Sequence, residues 1–105
     1  MAGLGDILKQ AQKMKAEMDR IQAEVATRTV EGSAGGGMVT AVANGKGELL
    51  SLRIDPEVVR GEDLEMLQDL VTAAANDALR KARELLAQEV SRLAGGFGLP
   101  MGLLE

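Results

Sequence analysis

The sequence predicts an α+β fold in the order α-β-β-β-α, a three-stranded antiparallel meander packed with two long helices. Three observations lead there. The first quarter of the chain spaces its apolar residues three and four apart. The middle alternates apolar and polar residues between glycine-rich turns. The last part returns to helical spacing and runs unbroken to Gly95-Gly96.

The first helix is expected over residues 6–27. Ile7, Ala11, Met14, Met18, Ile21 and Val25 are separated by alternating steps of four and three, an a/d seam of nearly three heptads. Asp6 is the expected N-cap, because its carboxylate can accept from free amides of the first turn. So short a seam is expected to pack on the rest of the fold or on a partner helix. Strands follow over residues 28–33, 38–44 and 48–54. Gly35-Gly36-Gly37 joins the first two, and Asn44-Gly45-Lys46-Gly47 makes a hairpin of the second and third, since Asn and Gly tolerate positive φ. In the third strand Leu50, Leu52 and Ile54 take one face, and Leu49, Ser51 and Arg53 the other.

Asp55-Pro56 supplies the cap and first residue of a short helix over 56–60, which Gly61 closes. The last helix is expected over 63–94, about 48 Å long at 1.5 Å per residue. That exceeds the width of so small a core, so part of it projects or meets a second subunit. Residues 1–94 read as one domain. Residues 95–105, with Gly, one Pro and no periodicity, read as a flexible tail.

Composition excludes many functions. The 105 residues include no Cys, His, Trp or Tyr, one Phe, and 12 basic against 16 acidic side chains, a net charge of -4. Without Cys there is no disulfide framework or thiolate nucleophile; without His there is no imidazole base or histidine metal site. With Phe97 as the one aromatic residue, a stacking platform for bases is excluded. Hydrophobic residues make up 46% of the chain, so it folds, yet fifteen are Ala and the core of one chain looks thin. Oligomerisation is the natural remedy. No apolar run reaches the roughly 18 residues of a membrane span, and Asp6 and Lys9 interrupt the start, so neither a membrane helix nor a signal peptide is expected. The expected location is cytoplasmic.

The glycine run is not a phosphate loop: no Gly-Lys-Ser/Thr follows it, and it precedes a strand rather than a helix. The carboxylate pairs Glu17 with Asp19, Glu62 with Asp63, and Asp55 with Glu57 fall where capping and solubility explain them. No catalytic residue, cofactor, metal ligand or small-molecule substrate is expected. Met14, Met18, Met38 and Met66 suit adaptable packing. The cations are more informative. Lys9, Lys13 and Arg20 lie within about 40° of one another on a helical wheel, about 140° from the seam. Arg80, Lys81 and Arg83 cluster in the last helix, with Asp77 and Glu84 interleaved. Such runs are ordinarily solvated faces with (i, i+4) partners. The functional alternative is a surface that contacts phosphates without reading bases.

Several motifs resemble the YbaB/EbfC family of nucleoid-associated proteins. They are Gln10-Ala11-Gln12-Lys13-Met14, Gly35-Gly36-Gly37-Met38-Val39-Thr40, Asn44-Gly45-Lys46-Gly47-Glu48, Ile54-Asp55-Pro56, Asn76-Asp77-Ala78-Leu79-Arg80-Lys81-Ala82, and the exit from Gly95-Gly96 to Leu99-Pro100. They agree in order over residues 3–102. The resemblance implies a small bacterial, cytoplasmic, nucleoid-located protein, homodimeric and non-enzymatic. It implies binding to double-stranded DNA with little sequence preference, and a link to gene regulation. It also implies DNA contact through the two long helices, which transfers here to Lys9, Lys13 and Arg20, and to Arg80, Lys81 and Arg83. Ala41 and Ala43 stand where the family commonly has a larger β-branched residue, with an expected thinning of the sheet packing. The competing function is a protein–protein adaptor using the heptad helix and the Met-bearing surface.

Overall fold

The computed structural model describes residues 3–96 and 98. Helix α1 spans Leu4–Ala26, β1 Thr29–Ala34, β2 Val39–Asn44, β3 Leu49–Ile54, α2 Pro56–Arg60 and α3 Leu64–Gly96. The sheet has the order β1-β2-β3 with both pairs antiparallel. The molecule measures 70 × 23 × 16 Å. It is long because α1 and the second half of α3 leave the sheet together as an antiparallel pair.

Two apolar clusters hold this arrangement. In the first, Val39, Ala41 and Ala43 of β2 face Ala74, Ala78 and Ala82 of α3, all six fully buried. Steps of two along the strand and four along the helix put three small side chains on each facing surface. In the second, Ile21 and Val25 of α1 meet Leu85 of α3, with Leu86 and Leu93 alongside. The sequence predicts that these alanines thin the packing; instead Ala41 and Ala43 are fully buried in it. They let the helix backbone come down onto the sheet. A Cβ on Gly32 of β1 would stand 2.1 Å from the Ala78 nitrogen and 2.6 Å from the Ala74 oxygen, so only glycine fits there.

Local chemistry explains the boundaries. Helix α1 begins at Leu4 with Gly3 as N-cap. Asp6 is therefore the third helical residue, not the cap, and its carboxylate reaches back to accept the Gly3 N–H at 3.3 Å. At the other end of α1, the Gly45 N–H donates to the Val25 carbonyl at 3.0 Å. A Cβ on Gly45 would lie 2.2 Å from that oxygen, so the hairpin docks on the helix end through glycine. The positive φ of this turn falls at Gly47 (84°), not at Gly45. Asn44 closes the turn, its Oδ1 accepting the N–H groups of Lys46 (3.0 Å) and Glu48 (3.1 Å). Gly35–Gly37 forms a short 3₁₀ turn with all three φ positive.

Asp55 caps α2 by accepting from the Glu57 N–H at 2.9 Å, and Asp63 receives the Met66 N–H at 2.9 Å at the start of α3. Between these helices the left-handed residue is Glu62 (φ 59°), whereas Gly61 is right-handed. Helix α3 continues through Gly95 and Gly96 rather than breaking before them. The remainder of the expected tail, apart from Gly98, lies outside the described residues.

In β3, a bulge opposite Val42 and Ala43 pairs Leu49 with Ala43 and makes Leu50 the extra residue. Leu49 thus joins the side of Leu52 and Ile54, contrary to strict alternation.

The two sheet edges differ. Two groups of β1 that face away from β2 are taken by α3: the Ser33 N–H donates to Asp77 Oδ2 at 3.0 Å, and Lys81 Nζ donates to the Glu31 carbonyl at 2.9 Å. Helix α3 lies over β1 and β2, and β3 extends beyond it. Leu49, Leu50 and Leu52 remain about half exposed. Among the described residues, no side chain hydrogen-bonds to the outer backbone of β3.

Gly32→Ala is expected to destabilise the fold by about 3 kcal/mol, the upper part of the usual overpacking range, because its new neighbour is backbone. Gly36→Ala, in open space but at φ 66°, should cost only the left-handed strain, about 1 kcal/mol. Urea denaturation of the two variants checks the order.

Candidate nucleic-acid interface

Ion pairing divides the six cations singled out in the sequence. Arg20 is held by Glu17 at 2.8 Å and by Glu24 at 2.9 Å. These carboxylates, Glu17 foremost, raise its guanidinium above the ordinary value. Arg80 is held in the same way by Asp77 at 2.7 Å and Glu84 at 2.6 Å, which also raise it. Lys81 lies 3.4 Å from Asp77 and donates to the Glu31 carbonyl. Among the described residues, Lys9, Lys13 and Arg83 make no ion pair.

Helical spacing explains the division. Arg20 and Arg80 each have acids at both i−3 and i+4, where side chains meet on one helix face. The acid three residues before Lys9 is Asp6, whose carboxylate is turned to the Gly3 N–H. The acid four residues after Lys13 is Glu17, which Arg20 occupies. Arg83 has no acid at either spacing.

The six do not converge on one spot. Lys9 and Lys13 lie near the free end of α1 and, with Asp6, Gln10 and Gly96, line a shallow groove. Arg80, Lys81 and Arg83 lie at the sheet end of α3, just before Leu85 meets α1. Sixteen residues of α1 separate Lys9 from Val25, about 24 Å at the helical rise. Of the exposed cations outside these six, one has no ion pair among the described residues. Arg53 points from the sheet face away from α3, without an ion pair among the described residues and with a long 3.5 Å contact to Thr40 Oγ1. Strand alternation, which places it opposite Leu52, was the signal for it.

Asp77 joins the second group to the fold. Its carboxylate is held below its ordinary value first by the Ser33 N–H, then by Arg80 and Lys81. Among the described residues, no cluster of acids can hold a metal, and no helix is long and apolar enough to cross a membrane.

A short meander backed by one long helix, with a second helix carried outward as a lysine-bearing arm, defines an α-β-β-β-α protein that displays most of its cations on helices. A sequence model described as the YbaB/EbfC DNA-binding family matches residues 1–97. The chain belongs to the YbaB/EbfC DNA-binding family.

The nucleoid-associated protein TTE0040 of Caldanaerobacter subterraneus subsp. tengcongensis is 52% identical over 97 residues, which cover 92% of this chain and 87% of that one. A nucleoid-associated protein of Acetivibrio thermocellus is 51% identical over 100 residues, 95% of this chain and 88% of that one. The crystal structure of the uncharacterized protein HP0035 from Helicobacter pylori superposes with a TM-score of 0.71 at 26% identity. That match covers 93% of this chain and 97% of that one.

The Asp77 network has a pH signature. Because the folded carboxylate titrates below its unfolded counterpart, the stability it adds is complete above about pH 4. It is lost as pH falls through the lowered folded value. The chain should therefore exceed Asp77→Asn in stability at neutral pH, and the gap should close near pH 2. Denaturant midpoints of both proteins across that range check it; a constant gap would assign the effect to something other than the charge.

Proposed function

We propose that this chain is a non-enzymatic, nucleoid-associated homodimer that binds double-stranded DNA largely without regard to sequence. The same reading gives it a part in gene regulation. The observation that carries it is the pair Lys9 and Lys13, exposed on the outward arm of α1 and without an ion pair among the described residues. A lysine already neutralised by a carboxylate gains little from a phosphate, whereas a free one releases a condensed counterion from the duplex. Lys9 and Lys13 are therefore the leading phosphate contacts, and Arg83 is a further one. Arg20, Arg80 and Lys81 contribute less, since each must leave an existing partner. Contacts of this kind fix position on the backbone and carry no base information. The names of the relatives, nucleoid-associated proteins, support the same location and role.

Dimerisation is supported by β3. A strand whose outer backbone groups have no hydrogen-bond partner among the described residues, with three half-exposed leucines, is a template for pairing with a second copy. A twofold arrangement there would cover those leucines and carry one α1 arm on each side.

Two measurements test the proposal. In a salt series on a duplex of arbitrary sequence, Lys9→Gln and Lys13→Gln should each reduce the slope of log affinity against log salt by about 0.9 per lysine removed. Arg20→Gln and Arg80→Gln should change it much less. Binding that is insensitive to salt in the unmodified protein sinks the DNA reading; equal effects of all four substitutions sink the assignment of the site. Separately, Leu52→Asp should convert a dimeric solution mass to a monomeric one. A dimer that survives it places the interface elsewhere.

A further inference from the structure

The hairpin between β2 and β3 contains a dipeptide that is chemically unstable in a free chain. In Asn44-Gly45 the second residue has no side chain, so its nitrogen can approach the Asn44 side-chain carbonyl carbon unhindered. The nitrogen loses its proton, bonds to that carbon and expels the side-chain nitrogen as ammonia, closing a cyclic imide. Water then opens the imide at either carbonyl, which leaves aspartate or isoaspartate at position 44.

The docked fold withholds both movements that this reaction needs. The Gly45 N–H donates to the Val25 carbonyl at 3.0 Å and to the Arg28 carbonyl at 3.2 Å. The Asn44 side chain is 9% exposed and is held at both ends. Its Oδ1 accepts from the Lys46 and Glu48 N–H groups, and its Nδ2 donates to Glu48 Oε1 at 3.0 Å. Attack requires the Gly45 nitrogen to leave both carbonyls and the Asn44 side chain to swing over it. The nitrogen is freed when the hairpin lifts from the end of α1.

We propose that Asn44-Gly45 is a deamidation site gated by the docking of the hairpin on α1, and that its conversion releases the base of the arm. Neither product restores the docked geometry. Aspartate sets a carboxylate against Glu48 where Nδ2 had donated, a like-charge contact. Isoaspartate routes the main chain through the side-chain carbon, which adds a methylene where Asn44 pairs with Thr29. The next residue has no slack to absorb it, since a Cβ on Gly45 would already stand 2.2 Å from the Val25 oxygen. Opening is reversible and conversion is not. The second asparagine of the chain, Asn76, is an internal control. It is exposed, but it lies inside α3, where the next N–H belongs to the helical ladder.

The test holds the full chain and a free peptide of residues 40–49 in mildly alkaline buffer and follows each asparagine by mass spectrometry. Asn44 should convert at least tenfold more slowly in the chain than in the peptide, and Asn76 should stay intact while Asn44 converts. Conversion at the peptide's rate, or Asn76 keeping pace with Asn44, overturns the proposal. The slowing should match the protection of the Gly45 amide against hydrogen exchange, because both wait on the same opening. Amides at the centre of β2 should be better protected than Gly45. A mismatch of tenfold or more, or equal protection of Gly45 and β2, overturns the gating. The converted chain, separated by its added negative charge, should lose protection at least tenfold at Thr27 and Arg28, whose N–H groups close the end of α1. Unchanged protection there, or loss in β2 as well, overturns the release of the arm.

Discussion

The structure depends on how closely the backbone of α3 lies to the sheet. At Gly32 the strand and helix backbones meet with no room for a side chain, and on either side the contact is alanine against alanine or valine. Large side chains would hold the layers near 10 Å apart, as in ordinary sheet packing; small ones let many atoms reach contact distance at once. The cohesion is then dispersion spread over a long, flat contact rather than burial of a few bulky groups. The low position of α3 also brings its polar side chains within reach of the β1 edge. Asp77 and Lys81 can pair with β1 backbone groups because their own backbone is so near. The same placement leaves β3 outside the cover, so one helix position both closes one edge of the sheet and leaves the other open.

A length mismatch does the rest. A six-residue strand is about 20 Å long, and a 33-residue helix is about 50 Å. Most of α3 therefore cannot lie on the sheet. Its second half needs another apolar partner, and α1 supplies Ile21 and Val25. The hairpin turn fixes this pair to the sheet, with the Gly45 N–H bonded to the last turn of α1. The arm is thus anchored at its base by glycine contacts and leucine packing. It runs free toward Lys13 and Lys9, where α3 is ending.

Element order was legible because periodicity changes sharply along the chain. Asp55-Pro56 is an unambiguous start, since its capping bond lies within three residues. What escaped was set by tertiary contact. Ala41 and Ala43 look like weak strand residues until Ala78 is known to lie above them. Gly45 looks like a positive-φ turn residue, but its value is the absence of a Cβ beside Val25. The bulge at Leu50 cannot be read from a run of leucines, because it is a property of pairing with β2. Among the cations, the wheel grouped Lys9, Lys13 and Arg20 by direction. It could not separate them, because the acid four residues from Lys13 is claimed by Arg20 and the one three residues from Lys9 by a backbone amide.

The net charge of -4 looked at odds with a DNA-binding family. Distance and pairing remove the conflict. At physiological ionic strength a charge is screened beyond about 8 Å, and the tip of α1 stands roughly three such lengths from the sheet end of the molecule. The acids there act on their own neighbours: Asp77 and Glu84 on Arg80, and Glu89 on Arg28 and Arg92. Along α1, Glu17, Glu24 and Asp19 are each spent on Arg20 or Lys15. On the proposed reading, a phosphate approaching the arm meets Lys9 and Lys13 with Asp6 beside them, and little of the charge farther away. Whole-chain charge governs solubility; the local, unpaired remainder governs what the arm can hold.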